Sequence, residues 1–466
     1  MNMRNRYTQA ITILGAAFLI GLQSCSITKS YKAPEMNVEN LYRDMNSSDT
    51  TTIASIPWRE YFVDPLLQSL IEECLANNFD LKIAAARVEQ AGANLSMAKA
   101  AYFPTIAIVG EVEHSRYSVN GDVLQDYANT YTLGLATTWE LDLWGKLNRQ
   151  SKAKYAQFLS TQEYRNLVQT NLIAGIATAY YTLLSLDEQL RISNEAIVLL
   201  EEMVETTEAL KEAGMQNAAA VEQMKASLHS TEVSIPDLES GIRQLENTIC
   251  VMLGRVPGPI ARNLFATQTV PTILKTGLPV QMLANRPDVR SAELDFRSAY
   301  ELTLAAQASF YPSISLSSGV IGYSAGTLSK FFQPENIIAN LVGGLTQPIF
   351  AKKQLRANLR IQKAAQEIAL FTFEKTVLTA AQEVSDVLYT YQSSTRKNEK
   401  RSRQLAALNN SVYYTKELFK AGEAIYLEVI TAEQSRLQAQ LGQVSDKLEQ
   451  LQASVDLYKA LGGGVY

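Results

Sequence analysis

The stretch Asn77–Thr105, NNFDLKIAAARVEQAGANLSMAKAAYFPT, returns as Asn285–Ser313, NRPDVRSAELDFRSAYELTLAAQASFYPS. The two align without a gap at an offset of 208 residues (285 − 77). Asn77, Asp80, Ala84, Ala91, Ala98 and Pro104 meet Asn285, Asp288, Ala292, Ala299, Ala306 and Pro312. Each copy reads as an Ala-rich helix running into aromatic residues and a proline, then into alternating apolar and polar residues. Proline ends a helix readily, so Pro104 and Pro312 mark two handovers from helix to strand. An internal repeat is a stronger guide to architecture than chain length, which at 466 residues would suggest two or three domains.

Upstream of the first handover, Asp64 and Pro65 read as an N-cap and a first helical residue. Apolar or Ala residues then recur at 67, 71, 74, 81, 84, 88, 91, 95 and 98, a helical spacing interrupted near Asn77 and Asn78. Downstream the period becomes two. Ile106, Ile108, Gly110 and Val112 share one face; Ala107, Val109, Glu111 and Glu113 share the other. After the polar turn 118–129, Tyr131, Leu133, Leu135, Thr137, Trp139 and Leu141 alternate with polar or small residues. The second repeat has the same hairpin, with Ile314, Leu316 and Val320 on one strand and Ala339, Leu341, Gly343 and Leu345 on the return. Tyr117, Tyr127, Phe331 and Phe332 lie near the loop ends; Trp139, Trp144 and Phe350 lie near the helix ends. Aromatics at both ends of apolar strands are the pattern of interfacial girdles. The strands have about the 9–11 residues that a tilted membrane-crossing strand needs.

Beyond each hairpin lies a long helix. From Lys146 to Glu212 there is no proline and only one glycine, Gly175. At 1.5 Å per residue such a helix is roughly 100 Å long, which calls for a coiled-coil-like setting. It breaks at Gly214 and returns to Leu253, with Pro236 expected to kink or break the return. The second copy runs from about Gln354, breaks at Gly422 and returns to Leu461, and Gly214 and Gly422 keep the offset of 208 (422 − 214).

Composition narrows the function. The chain carries 42 Lys and Arg against 47 Asp and Glu, with no basic stripe for nucleic acid. Its two histidines, His114 and His229, lie far apart, and no catalytic nucleophile, metal or cofactor constellation stands out. The reading is therefore non-enzymatic, with no cofactor. No run of 18 apolar residues suggests a membrane-spanning helix. The N-terminus reads as a secretion signal over 1–24, with Arg4 and Arg6, an apolar stretch to Leu22, and Leu22-Gln23-Ser24-Cys25. This resembles a lipoprotein cleavage box with Cys25 as the acylated residue, and Ser26 rather than Asp favours the outer membrane. Cys74 and Cys250 lie in helical contexts and read as buried free thiols.

The organisation is thus a signal peptide 1–24, a lipidated tether 25–57, a first repeat 58–256 with hairpin 105–143, a connector 257–280, and a second repeat 281–466 with hairpin 313–350. Four strands cannot close a barrel, and open sheet edges do not exist in lipid. The barrel must be shared between chains. Two chains would supply eight strands and three would supply twelve, which leaves room for a lumen behind polar inner faces. A homotrimer follows as the expectation.

The residues as a set resemble the TolC-like outer-membrane efflux proteins, and within them the lipidated OprM/NodT type associated with RND pumps. The resemblance covers nearly the whole mature chain. It rests on the Cys25 box, Tyr31–Glu35 (YKAPE), Trp58–Pro65, Asn77–Pro104, Leu283–Glu293 (LANRPDVRSAE) after Gly-Leu-Pro at 277–279, and Tyr458–Gly464 (YKALGGG). It implies a mainly α membrane protein with an internal tandem duplication. Its trimeric, twelve-stranded outer-membrane β-barrel continues as a long periplasmic α-helical barrel. It implies an exit duct that passively conducts drugs and toxic compounds, loaded by a periplasmic adaptor (membrane fusion protein) and an inner-membrane RND pump. The tips at Gly214 and Gly422 would dock the adaptor, although a glycine is also needed simply to end a helix there. Glu428 would form an acidic ring facing the aperture, where three carboxylates favour cations; the ordinary alternative is a solvated helix-face carboxylate. Ala424 and Ala220 stand where members can carry a basic and an acidic residue. Alternatives are a conduit for type I protein secretion and, in a different class, a periplasmic coiled-coil adaptor or scaffold without membrane strands.

Overall fold

The computed structural model of the chain describes residues 30–34, 52–119, 122–270 and 284–465, with the side chains of 116–127 left out. Cys25 and the signal segment, most of the tether, part of the connector, and the side chains of Tyr117 and Tyr127 lie outside the described residues. The elements follow the repeat. The first copy comprises α1 (Pro65–Asn77), α2 (Phe79–Ala100), β1 (Thr105–Val119), β2 (Asp122–Leu141), α3 (Lys146–Glu212) and α4 (Ala218–Met252). The second comprises α5 (Pro287–Ala308), β3 (Ser313–Ala325), β4 (Ile337–Ile338), β5 (Leu341–Thr346), α6 (Gln354–Lys420) and α7 (Tyr426–Ala460). α3 and α6 have 67 residues each and begin 208 apart (354 − 146); α4 and α7 have 35 each and keep the same offset (426 − 218).

Local chemistry sets these boundaries. Asp64 caps α1 by accepting from the Leu66 amide at 2.9 Å, and Pro65 occupies the first turn. Asn78 ends α1 and caps α2, its Oδ1 accepting from the Asp80 and Leu81 amides. Of the kink or break expected at Pro236, the break does not occur: α4 runs through it as one helix. Its ring lies on an exposed face, where water can satisfy the carbonyl that loses its helical donor.

Two compact units cut across the repeats. Of the described residues, one contains 30–34, 89–119, 122–159 and 293–372; the other contains 52–88, 160–270, 284–292 and 373–465. The first unit holds the sheet, which is antiparallel in the order β1-β2-β3, with β4 and β5 both pairing β3. The fourth strand is therefore in two pieces. Register brings the expected faces together: Ile108 opposes Leu135, Leu135 opposes Ile321, Trp139 opposes Leu316, and Ile314 opposes Leu345. The other face carries Glu111 opposite Thr132, Thr132 opposite Ser324, and Glu140 opposite Ser315. Gly134 and Gly322 are partners, and a Cβ on Gly322 would lie 2.3 Å from the Leu133 carbonyl oxygen. Only glycine permits so close an approach of β2 and β3.

The second unit holds the apolar core, with Trp58, Phe62, Leu67, Ile71, Tyr180, Leu183, Leu253, Val377 and Tyr458 buried together. The stretch of α3 around Leu172–Leu184 lies in a helix long and apolar enough to cross a bilayer by composition, yet those residues fill this core. Asp64 does more than cap α1. It is 6% exposed and also accepts from Tyr180 Oη at 2.8 Å, Asn263 Nδ2 at 2.8 Å and Gln268 Nε2 at 2.7 Å. Burial, with Asp64 adding to it, raises the Tyr180 phenol well above its ordinary range, so it remains a donor. The RPDV and terminal LGGG segments meet in the same unit: Arg286 donates to the Ala460 carbonyl at 2.9 Å and pairs with Asp288 and Glu383. In the first repeat Asn78 does the equivalent work, donating to Met252, which is Ala460 less 208 residues. Cys74 and Cys250 are buried and unbridged, and burial pushes the Cys74 thiol up to about 12.

Candidate functional site

The sequence points to three places: the helix tips, the sheet and its edges, and the handovers. At the tips, Gly214 (φ 72°) and Gly422 (φ 79°) end α3 and α6 in the left-handed region. The Met215 amide bonds back to Leu210 O at 2.8 Å and the Glu423 amide to Leu418 O at 2.9 Å, the six-to-one bond of a Schellman end. A Cβ at either glycine would meet nothing within 4 Å. The backbone conformation, not crowding, therefore demands glycine, and the turns are exposed.

The two tips differ in how the return helix begins. Asn217 caps α4, its Oδ1 accepting from Ala220 N at 2.9 Å, whereas Ile425 gives α7 no side-chain cap. Glu428 lies exposed in the first turn of α7, where a carboxylate offsets the uncapped positive helix end. Ala220 holds the same place in the first repeat (428 − 208). Between the two tips lies a cavity of about 440 Å³, lined chiefly by Met203, Leu210, Met215, Met224, Phe419 and Tyr426. Tyr426 Oη donates to Gln223 Oε1 at 2.8 Å across the repeats, and Lys225 pairs with Glu208 at 2.7 Å. Sequence reasoning missed this apolar recess, because its walls come from residues about 200 positions apart.

In the sheet, the apolar face is open. Ile106 is 67% exposed, Ile108 79% and Leu345 71%. Among the described residues, β1 and the β4–β5 strand have no partner on their outer edges. At the handovers the strands start directly after Pro104 and Pro312. Trp139 and Trp144, expected in a girdle, also fasten these turns: their indole N–H groups donate to Tyr102 O at 2.8 Å and Pro312 O at 2.6 Å. Trp144 stacks on Tyr311 with ring centroids 5.2 Å apart. Phe332 and Phe350 are exposed, while Phe331 is buried against Tyr323 and Phe332.

Among the described residues no group of three or more His, Cys, Asp or Glu side chains is placed to hold a metal. His114 meets Asn129, and His229 meets Glu232 in another part of the chain.

The family model described as "Outer membrane efflux protein" matches residues 70–255 and 278–463, again offset by 208 (278 − 70). The probable outer membrane lipoprotein SilC of Salmonella typhimurium is 29% identical over 97% of this chain and 99% of its own. The antibiotic efflux pump outer membrane protein ArpC of Pseudomonas putida is 30% identical over 98% and 96%. The outer-membrane channel OprN superposes with a TM-score of 0.88 at 25% identity, covering 95% of this chain and all of that one. The two matched segments, the end-to-end relatives and the shared architecture all concern non-enzymatic channels. The chain belongs to the outer membrane efflux protein family, as an outer-membrane channel of an efflux system.

Proposed function

We propose that the chain is the exit duct of a tripartite efflux system, working as a homotrimer. The observation that carries this reading is the open, apolar-faced, four-stranded sheet. A sheet with both outer edges unpaired among the described residues is untenable in lipid, and three copies would close it with twelve strands. Tips ending in exposed glycine turns would receive a periplasmic adaptor, with the apolar recess between them available to its side chains. An inner-membrane RND pump would supply the free energy, since the chain offers no chemistry of its own. Antibiotic efflux is the activity named for ArpC, and small toxic molecules are the proposed cargo here. Cys25 would carry the lipid, in keeping with the lipoprotein description of SilC. Pro104 and Pro312 would mark where the duct passes from strands to helices.

Glu428, exposed in the first turn of α7, would contribute one carboxylate per chain to a ring at the periplasmic end. The test is conductance. The purified protein should form ion-conducting pores in planar bilayers, and Glu428→Gln should lower cation selectivity. A protein of native β content that never conducts would refute the duct. Unchanged selectivity in Glu428→Gln would remove the ring.

A further inference from the structure

The second return from strand to helix lacks the carboxylates of the first. In the first repeat Glu140 pairs with Lys146, and Asp142 accepts from the Leu147 amide at 3.0 Å and the Asn148 amide at 2.8 Å at the start of α3. An offset of 208 replaces Glu140 with Pro348 and Asp142 with Phe350. It also replaces Trp144, Gly145 and Asn148 with Lys352, Lys353 and Arg356. From 336 to 366 the sequence holds five cations, these three with Arg360 and Lys363, and no carboxylate. Lys352, Lys353 and Arg356 are exposed, and no carboxylate pairs with them among the described residues. They gather where α6 begins without an acidic residue in its first turn, a place where the helix dipole already disfavours positive charge. Lys352 (φ 47°) and Lys353 (φ 65°) also hold left-handed backbone, which Gly145 (φ 75°) supplies at the matching place in the first repeat. Strain of this kind gathers at functional positions.

The residues just before the cations are apolar and open. Ile349 is 97% exposed and Phe350 84%, and both follow β5 within four residues (350 − 346). Apolar side chains succeeded at once by cations mark the boundary between acyl chains and headgroups. A headgroup layer is about 5–8 Å deep on each side of a bilayer. Arg356 lies about 3 Å along α6 from Gln354, within that layer, whereas Lys363, at about 14 Å, lies beyond it. We propose that Lys352, Lys353 and Arg356 bind the phosphate of an anionic phospholipid in the periplasmic leaflet of the outer membrane, with Ile349 and Phe350 against its acyl chains. The lipid supplies at the second return the negative charge that Glu140 and Asp142 supply at the first. Lysine and arginine give charge-assisted hydrogen bonds to phosphate oxygens, and the apolar pair separates a lipid from a free anion. The site rests on the duct reading, which puts the helical end of the sheet on the periplasmic side.

The test uses the full-length protein in detergent micelles carrying dioleoylphosphatidylglycerol or, as the zwitterionic comparison, dioleoylphosphatidylcholine. Native mass spectrometry counts the lipids retained. The wild type should keep phosphatidylglycerol in clear preference. A cation near a membrane surface is worth roughly fivefold in affinity. Lys352→Gln and Arg356→Gln should each raise the half-saturating fraction of phosphatidylglycerol by about that factor, and both together with Lys353→Gln by about a hundredfold. Lys353→Gly should lose the same fivefold while relaxing the backbone, which separates lost binding from lost folding. Lys352→Arg with Lys353→Arg should keep the preference. Equal retention of the two lipids by the wild type, or displacement of phosphatidylglycerol by an excess of inorganic phosphate, would overturn the lipid site. Pores that still conduct would then leave the duct standing. A triple variant whose particle mass falls below that of the wild type would mean that the cations serve a neighbouring chain, and would also overturn the proposal.

Discussion

Replacing Asp64 with alanine should destabilise the protein far more than the loss of a helix cap. A Ser, Thr, Asn or Asp cap is typically worth about 1 kcal/mol. Asp64, however, also receives Tyr180 Oη, Asn263 Nδ2 and Gln268 Nε2 between 2.7 and 2.8 Å. Tyr180 and Gln268 are buried, while Asn263 is exposed and can turn to water. Each buried donor stranded without an acceptor costs roughly 1–3 kcal/mol. The cap and two stranded donors together give about 3–5 kcal/mol, allowing for partial entry of water. Asp64→Asn keeps a carbonyl for the cap and one donor, and should lose about half as much. Tyr180→Phe removes a single donor, and its double-mutant cycle with Asp64→Ala should show a coupling above about 1 kcal/mol. Denaturant unfolding in detergent, followed by far-UV circular dichroism, measures all three. A loss below about 1 kcal/mol for Asp64→Ala, or additive single changes, would refute the buried hub.

Gly422→Ala should cost about 1–2 kcal/mol through the left-handed backbone, with no steric contribution. Hydrogen exchange should therefore accelerate at the tip and leave the core of α6 unchanged. Lys353, at φ 65°, holds the place of Gly145 in the first repeat (353 − 208); Lys353→Gly should raise stability by about 0.5–1 kcal/mol, seen as a higher unfolding midpoint. Arg286→Lys should lose roughly 1–3 kcal/mol, because an ammonium cannot reproduce the fork that meets Ala460 O, Asp288 and Glu383 together; an unchanged midpoint would show that the fork is not needed.

Much of this architecture is local and could be read along the chain. The stripe from Leu67 to Ala98 is buried or half-buried at every expected position, because helical spacing alone assigns residues to one face. Alternation did the same for the strands, so Ile108 and Leu135 arrive on one face of the sheet. Glycine and proline punctuation gave the tips and handovers, since left-handed turns and helix ends are short-range properties. Pro236 shows the limit of such punctuation: a proline on a wet helix face is tolerated where its neighbours hold the helix on both sides.

The sequence by itself determined the duplication, the lengths of the helices, the alternating strands and the places where one gives way to the other. Each of these depends on residues within a few turns of one another. Tertiary structure alone decided the partners. Asp64 finds donors 116, 199 and 204 residues away, Arg286 closes on Ala460, and the recess between the tips takes walls from both repeats. Arg149, Ser160 and Glu163 of α3 are buried, while Ala357, Ile368 and Phe371, their copies on α6, are exposed at the same spacing. Periodicity tells which face of an element must be covered. What covers it is set by the whole arrangement, because burial energy is non-directional and only complementary shape, charge and hydrogen bonding choose among the available surfaces.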